Sequence, residues 1–376
     1  MPQTEFTESL EWLTDVIRCK GKEQRIALRP QARQELVLSH VLDDQNLARA
    51  KALARFASAS EILVPGWESF TRVGTVAAGA QTLNFSTAYA PYRVGDQVVV
   101  WQEVDYFEVR TLTAVAANQI DLDAPLARSY SLALVMPVRP SRFAQDFEAT
   151  RGAGWHDGSV RFVSTQYRSL EGSGAAPAYP VYRGHDVLTD RTVRLSDIRE
   201  RFVREADTFD GGLGKIWTGS EFNYPIQGSQ AAWSLDTRAA LWPIRAWLDA
   251  RRGRQVGFWM PSWNVDLVLT TPTLTTSTTI TVRSVGFSSY NKTGDIMILT
   301  TAGTMYFRRV INSAPGSPGF DVLQLESAIG VALQPSQIQA ICLMTFNRLD
   351  ADRIEIKHRA ARGADIAVAV MEAPLP

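Results

Sequence analysis

Two short stretches constrain this chain more than any other feature. Glu61–Trp67 reads EILVPGW and Gly257–Trp263 reads GFWMPSW, so a hydrophobic residue, a proline, a small residue and a tryptophan recur 196 positions apart. Each follows a segment with helical periodicity. If the match continues on either side, the fold reduces to one unit used twice. It does continue. Gly95-Asp96 matches Gly294-Asp295 at an offset of 199, and Tyr106-Phe107 matches Tyr306-Phe307 at 200. IDLDAPL (Ile120–Leu126) matches LQLESAI (Leu323–Ile329) at 203, and Arg151-Gly152-Ala153 matches Arg362-Gly363-Ala364 at 211. Each match alone is weak, but an offset that only rises is what lengthened loops in a second copy produce. NSAPGSPGF (Asn312–Phe320) is indeed longer than AVAANQ (Ala114–Gln119) opposite it. The pattern predicts a tandem duplication.

The segments before the two corners read as helices. In the first, Asp43 or Asp44 is the expected N-cap, and Leu47, Ala50, Leu53, Ala54 and Ala57 form one stripe. In the second, Asp236 is the expected N-cap, Ala240, Leu241, Ile244, Trp247 and Leu248 form the stripe, and Gly253 is the stop. Pro243 lacks an N–H and predicts a kink or a start at Trp242. Elsewhere, alternating Val, Thr, Ile and aromatic residues cut by Gly and Asp turns predict strands. The expected fold is mainly β (α+β), with two similar tandem halves, each a β-sheet or β-barrel unit with one packed helix and a small all-β insert. The divisions are 1–72 with 139–170 for the first α+β unit and 73–138 for its insert. A linker at 171–185, containing EGSGAAPAYP (Glu171–Pro180), leads to the second unit, 186–266 with 346–376, whose insert is 267–345.

Composition narrows the function. Lys+Arg and Asp+Glu are both 39, so the chain carries none of the basic excess of a general nucleic-acid binder. No apolar run approaches the roughly 18–20 residues of a membrane helix, so no membrane insertion is expected. The start, MPQTEFTESLEWL, lacks the order of a signal peptide. Cys19 and Cys342 are isolated thiols that make no metal motif. His40, His156, His185 and His358 have no ligand or nucleophile at a diagnostic spacing. His156 beside Asp157 reads as a polar turn rather than a dyad, and His185-Asp186 with Asp190 as a solvated loop rather than a metal site. DGGLG (Asp210–Gly214) lacks the Lys-Ser/Thr of a phosphate loop and reads as a hairpin turn. No catalytic, metal or cofactor residue is expected.

The stretch EWLTDVIRCKGKEQRIALRPQARQELVLSHVL (Glu11–Leu42) resembles the opening of distal-tail and related tail-tip proteins of long-tailed phages. Gly21, Glu23, Arg25 and Arg33 occupy the Gly-x-Glu-x-Arg … Arg pattern that begins a β-hairpin of that family's ring. The resemblance covers about residues 10–140; the second half keeps the corner and insert without the signature. It implies a structural protein of the virion tail tip or baseplate, assembled in the host cytoplasm and forming a ring around the tail channel. The partners implied are the tail tube protein and tip, hub or fibre proteins, with DNA only passing through. Two ring-type units in one chain then imply a trimer with a pseudo-six-fold ring, a plain hexamer being the alternative. Glu23, Arg25 and Arg33 become candidate subunit-contact or ring-lining residues. Trp101 and Tyr106, on the first insert, are candidate exposed aromatic contacts. They motivate an alternative, a receptor- or carbohydrate-binding β module. A cell-wall-degrading enzyme is the third reading and requires convergent carboxylates or a metal cluster, neither of which the sequence displays plainly.

Overall fold

The computed structural model describes residues 5–19, 22–57, 59–145, 147–167, 169–170, 173, 175–191, 200–203, 206–219, 226–359 and 363–375. The fold is mainly β and its strand pairings are antiparallel. Four strands open it: β1 (Phe6–Glu11), β2 (Thr14–Cys19), β3 (Lys22–Ala27) and β4 (Arg33–Leu42). Helix α1 (Asp44–Ala57) and β5 (Ile62–Pro65) follow, then β6 (Thr71–Val76), β7 (Thr82–Asn84), β8 (Gln97–Glu103), β9 (Tyr106–Ala116) and β10 (Gln119–Leu122). The long β11 (Tyr130–Phe143) and the hairpin β12 (Glu148–Arg151) and β13 (His156–Ser164) complete this part. In β13 every second residue is buried, the period-two signature of a strand with one face in a core. That strand pairs with β4 from Leu42–His156 to Glu35–Val163, and with β12 on its other side. The end of β11 pairs with both β5 and β13, its middle, Leu134–Pro137, with β8, and its beginning, from Tyr130, with β6. From there β8–β9, β9–β10 and β10–β7 continue the ladder.

The second part holds β14 (Val181–Tyr182), β15 (His185–Asp186), β16 (Arg201–Val203), β17 (Asp207–Asp210), β18 (Ile216–Gly219) and β19 (Ile226–Leu235). Helix α2 (Arg238–Arg251), β20 (Phe258–Pro261), β21 (Thr279–Arg283) and the single turn α3 (Phe287–Tyr290) come next. The chain closes with β22 (Gly294–Thr300), β23 (Met305–Pro315), β24 (Phe320–Leu325), β25 (Ile338–Leu349), β26 (Arg353–His358) and β27 (Ala364–Glu372). Apart from β6–β11, matched only by the isolated bridge Leu267–Ile341, its pairings run in the same order as those of the first part: β19–β27, β20–β25, β25–β27, β26–β27, β22–β25, β22–β23, β23–β24 and β24–β21. Even an irregularity recurs: the β9–β10 register shifts between Asp121 and Leu122, and the β23–β24 register between Val310 and Asn312.

These rungs correct several of the sequence matches. Pro65 and Pro261 occupy equivalent rungs, as the corner offset of 196 requires. Arg110 stands where Arg308 stands, an offset of 198, and each donates to the carbonyl of its preceding residue, Val109 at 3.0 Å and Phe307 at 2.7 Å. Tyr306 therefore faces the rung of Glu108 rather than that of Tyr106, and the Gly-Asp match is one residue out. Arg151 ends the first strand of its hairpin, opposite His156, whereas Ala364 opens the second strand of the other hairpin, opposite His358. Arg362 lies outside the described residues, and Ala364 does not stand at the rung of Ala153's neighbours, because register is set by the buried face and not by turn residues, which drift with loop length.

Caps and cores follow local chemistry. Asp43 caps α1, its Oδ1 accepting from the Asn46 N–H at 2.7 Å. Thr237 caps α2, its hydroxyl accepting from the Ala240 N–H at 3.2 Å, whereas Asp236 pairs with Arg359 at 3.1 Å. Helix α2 runs through Pro243 unbroken, because the carbonyl that loses its donor, that of Ala239, lies in the first turn. Each insert encloses its own cluster, one around Val98, Leu112 and Ile120 and one around Ile296, Val310 and Leu323. The end of the expected linker packs on the second part, the Tyr182 hydroxyl donating to Asp295 at 2.6 Å, and just beyond it the Leu188 N–H donates to the Trp259 carbonyl at 2.8 Å. Glu171, Gly172 and Gly174 of that linker lie outside the described residues. No helix among the described residues is long and apolar enough to cross a membrane.

Candidate functional site

The largest core cluster joins the two parts of the chain. Leu10, Trp12, Ala32 and Tyr167 of the first part pack with Ile244, Trp247, Leu248 and Ile354 of the second. Strand β1 builds this junction. One edge pairs with β4, and the other pairs with β26 along six rungs from Phe6–His358 to Glu11–Arg353. Glu8 lies in the middle of β1 and is fully buried. Its carboxylate meets the Arg245 guanidinium, the Gln34 amide and, at 3.0 Å, the His358 Nε2. Burial works to raise the Glu8 carboxyl, but the charge of Arg245 and the hydrogen bond and charge of His358 outweigh it and hold the group well below the ordinary carboxylate range. Arg245 is correspondingly held above its ordinary value: burial opposes its charge, and the Glu8 carboxylate prevails.

The β2–β3 hairpin extends this contact as an arm laid on the second part. The Thr14 N–H and hydroxyl both donate to Asp352, at 2.7 and 2.8 Å. Glu23, whose side chain is only 2% exposed, accepts from Arg348 Nε at 2.8 Å and Nη2 at 3.2 Å, and from Arg18 at 3.2 Å. Burial would raise the Glu23 carboxyl, but the hydrogen bonds and charge of Arg348, aided by Arg18 and Arg25, keep it lowered. Arg25 donates to the Gln255 carbonyl at 3.1 Å. On the other flank, Asp249 of α2 accepts from the Tyr167 and Ser169 hydroxyls, both at 2.8 Å, and from the Leu170 N–H. Arg238 at the start of α2 donates to the carbonyls of Ser69 and Phe70.

The sequence candidates are distributed unevenly around this junction. Glu23 and Arg25 are engaged inside the chain, between its two parts, and do not stand free on a surface. Arg33 is exposed on β4, opposite Glu11, and Gly21 lies outside the described residues. Trp101 and Tyr106 are not exposed contacts. Trp101 is half-buried edge-on to Trp67 at 5.6 Å, and Tyr106 stands edge-on to Tyr130 at 5.3 Å while its hydroxyl donates to the Ser129 carbonyl at 2.9 Å. Both are consumed by packing. His156 is buried with Nε2 2.8 Å from Asp44, not from Asp157. Asp186 accepts from Trp247 at 3.2 Å and Arg251 at 3.0 Å, and Asp190 from Tyr179 and Trp233, so the aromatic and cationic neighbours claim those carboxylates. Among the described residues no group of three His, Cys, Asp or Glu side chains could hold a metal ion. The principal residues that sequence reasoning missed are Glu8, Arg245, Arg348 and His358. Glu8 alone leaves a local trace, a charge at the same alternating parity as Phe6, Leu10 and Trp12 in FTESLEW (Phe6–Trp12).

Among the described residues two edges stay open: β12 pairs only with β13, and β16 only with β19. Their counterparts by pairing order, β26 and β1, pair with each other. Helix α2 buries eight side chains, whereas α1 buries only Leu47 and Ala57 and leaves Phe56 88% exposed. Comparison with protein-family models and with curated proteins returns no match.

Proposed function

We propose that this chain is a structural component of a phage tail tip or baseplate, which forms a ring around the tail channel and connects the tail tube to tip or fibre proteins. The observation that carries the proposal is the pairing order, written twice and joined by β1–β26. Two copies of one unit, descended from a duplication, account for it. The contact between them is heterologous: the leading strand and arm of one copy meet the helix and hairpin of the other. Contacts of that kind generate rings when the rotation closes. The short signature at Gly21–Arg33 supplies the link to phage tails, and two units per chain fit a trimer with pseudo-six-fold symmetry, with a plain hexamer as the alternative. The packing of Trp101 and Tyr106 removes the aromatics that motivated a carbohydrate-binding module.

The test is location in the virion. Gold-labelled antibody against this chain is expected to decorate one end of the tail in particles of the phage that encodes it. Label on the head, along the fibres alone or nowhere on the particle would refute the assignment.

A further inference from the structure

We propose that the β16 edge of one copy adds to the β12 edge of a second copy, reproducing between molecules the β1–β26 contact within the molecule. This rests on the ring proposed above and names its interface. Strand β1 pairs with β4, and β16 pairs with β19 in the matching register: Leu10 opposes Gln34, and Phe202 opposes Gln227. Hairpins β12–β13 and β26–β27 also match, Arg151 opposing His156 as His358 opposes Ala364. Transferring the β1–β26 rungs to the open edges therefore fixes a register. Arg201 falls opposite Glu148, Phe202 opposite Phe147, and Glu200 opposite Ala149.

Every position so matched is chemically suited. Arg201 and Glu148, both exposed, become a cross-strand pair of opposite charge. Glu200 takes the place that Glu8 holds in the internal junction. The residues standing in for its partners Arg245 and His358 are Lys51, at the same distance from the α1 cap Asp43 as Arg245 is from the α2 cap Thr237, and Arg151 of β12. Both are cationic and both are exposed. Gln227 stands for Gln34. Phe202 replaces Leu10: Leu10 is 0% exposed in its core, and Phe202 is 63% exposed here. A groove of about 410 Å³ lined by Lys51, Ala54, Phe143 and Phe147 lies at the corresponding place, on the side of α1 whose counterpart in α2 is covered. The β17–β18 hairpin, the counterpart of the docked β2–β3 arm, carries Phe209 and Trp217 at 72% and 74% exposure. A second copy of this chain is the occupant that satisfies all of these features together, since it brings edge, charge and aromatic in one register.

Engineered disulfides test the register. A chain with Arg201→Cys mixed with a chain carrying Glu148→Cys is expected, under mild oxidation, to give one covalent heterodimer, while neither variant alone is joined at that position. Both positions are exposed, so neither change disturbs the fold, and peptide mapping separates the engineered bond from Cys19 and Cys342. Adding Glu200→Arg is expected to cut the yield at least tenfold, and Lys51→Glu with Arg151→Glu in the partner to restore it. No heterodimer, or equal dimer from the single variants, overturns the proposed edge. The chain carrying both cysteines separates this interface from the ring itself. A covalent series ending in a closed species supports both, whereas an open-ended ladder keeps the β16–β12 contact and refutes closure around a channel.

Discussion

Replacing Glu8 by alanine probes the internal junction where its energy is most concentrated. The carboxylate is 0% exposed and Arg245 is 4% exposed, so the substitution leaves a guanidinium in the core without its counter-ion. Removing one partner of a buried pair costs about 3–5 kcal/mol, because the desolvation of the remaining charge is no longer compensated. His358 and Gln34 lose an acceptor as well, which places the expected loss toward the upper end of that range. Trp12, Trp233 and Trp247 belong to the same cluster and report its opening by fluorescence in a urea titration. A double change, Glu8→Met with Arg245→Met, is expected to recover most of the loss, since matched apolar side chains often replace a buried ion pair at little cost. If Glu8→Ala unfolds within about 1 kcal/mol of the parent chain, the pair is solvated and the junction is not the packed contact described.

Three further outcomes are expected. Glu8 and Glu23 are both held below their unfolded values, so their stabilising contribution is complete above about pH 4.3 and is lost as pH falls through the folded values; Glu23→Gln should lose less stability than the parent between neutral and acid pH, and superimposable acid-unfolding profiles would rule this out. In Gly257→Ala the new Cβ would lie 2.4 Å from Phe346 Cζ and 3.1 Å from the Asn347 carbonyl oxygen, so an overpacking loss of about 1–3 kcal/mol is expected by thermal or urea unfolding, and a neutral result would contradict the β20–β25 packing. Burial pushes the Cys342 thiol up to about 11, so site-resolved alkylation at pH 8 should leave it unmodified until denaturant is added; rapid modification of the folded chain would refute its place in the core.

The fold was legible where buried periodicity speaks and illegible where turns or distant contacts do. The corner prolines and the match of Ile120–Leu126 with Leu323–Ile329 agree with the ladders, and the helices form where Leu47 and Leu241 are buried, although Leu53 of the expected first stripe is exposed. The matches at Gly95-Asp96, Tyr106 and Arg151 slipped by one, two and four positions. These residues stand in or beside turns, and turn lengths differ between the two parts, so identical residues recur there without marking equivalent rungs. Thr237 caps α2 in place of Asp236 because both residues can accept from the first turn, and one step of backbone decides between them. The junction was the least legible feature. Glu23 meets Arg348 across 325 positions and Glu8 meets Arg245 across 237, and no local pattern records contacts of that separation. Glu23 and Arg25 stood out through a motif, yet their partners could be identified only in three dimensions. Trp101 and Tyr106 looked free because aromatic residues on a β insert give no hint of which face they occupy.

The central claim is a ring closed by repeated heterologous contacts, and particle mass tests it most directly. Light scattering at high protein concentration, with rotational classes from negative-stain images of the same sample, counts chains and units together. Three copies of the 41.6 kDa chain, about 125 kDa, with six-fold-looking density are expected. A particle that stays at the mass of one chain at every concentration would contradict the ring, and six chains would contradict its closure by two units per chain.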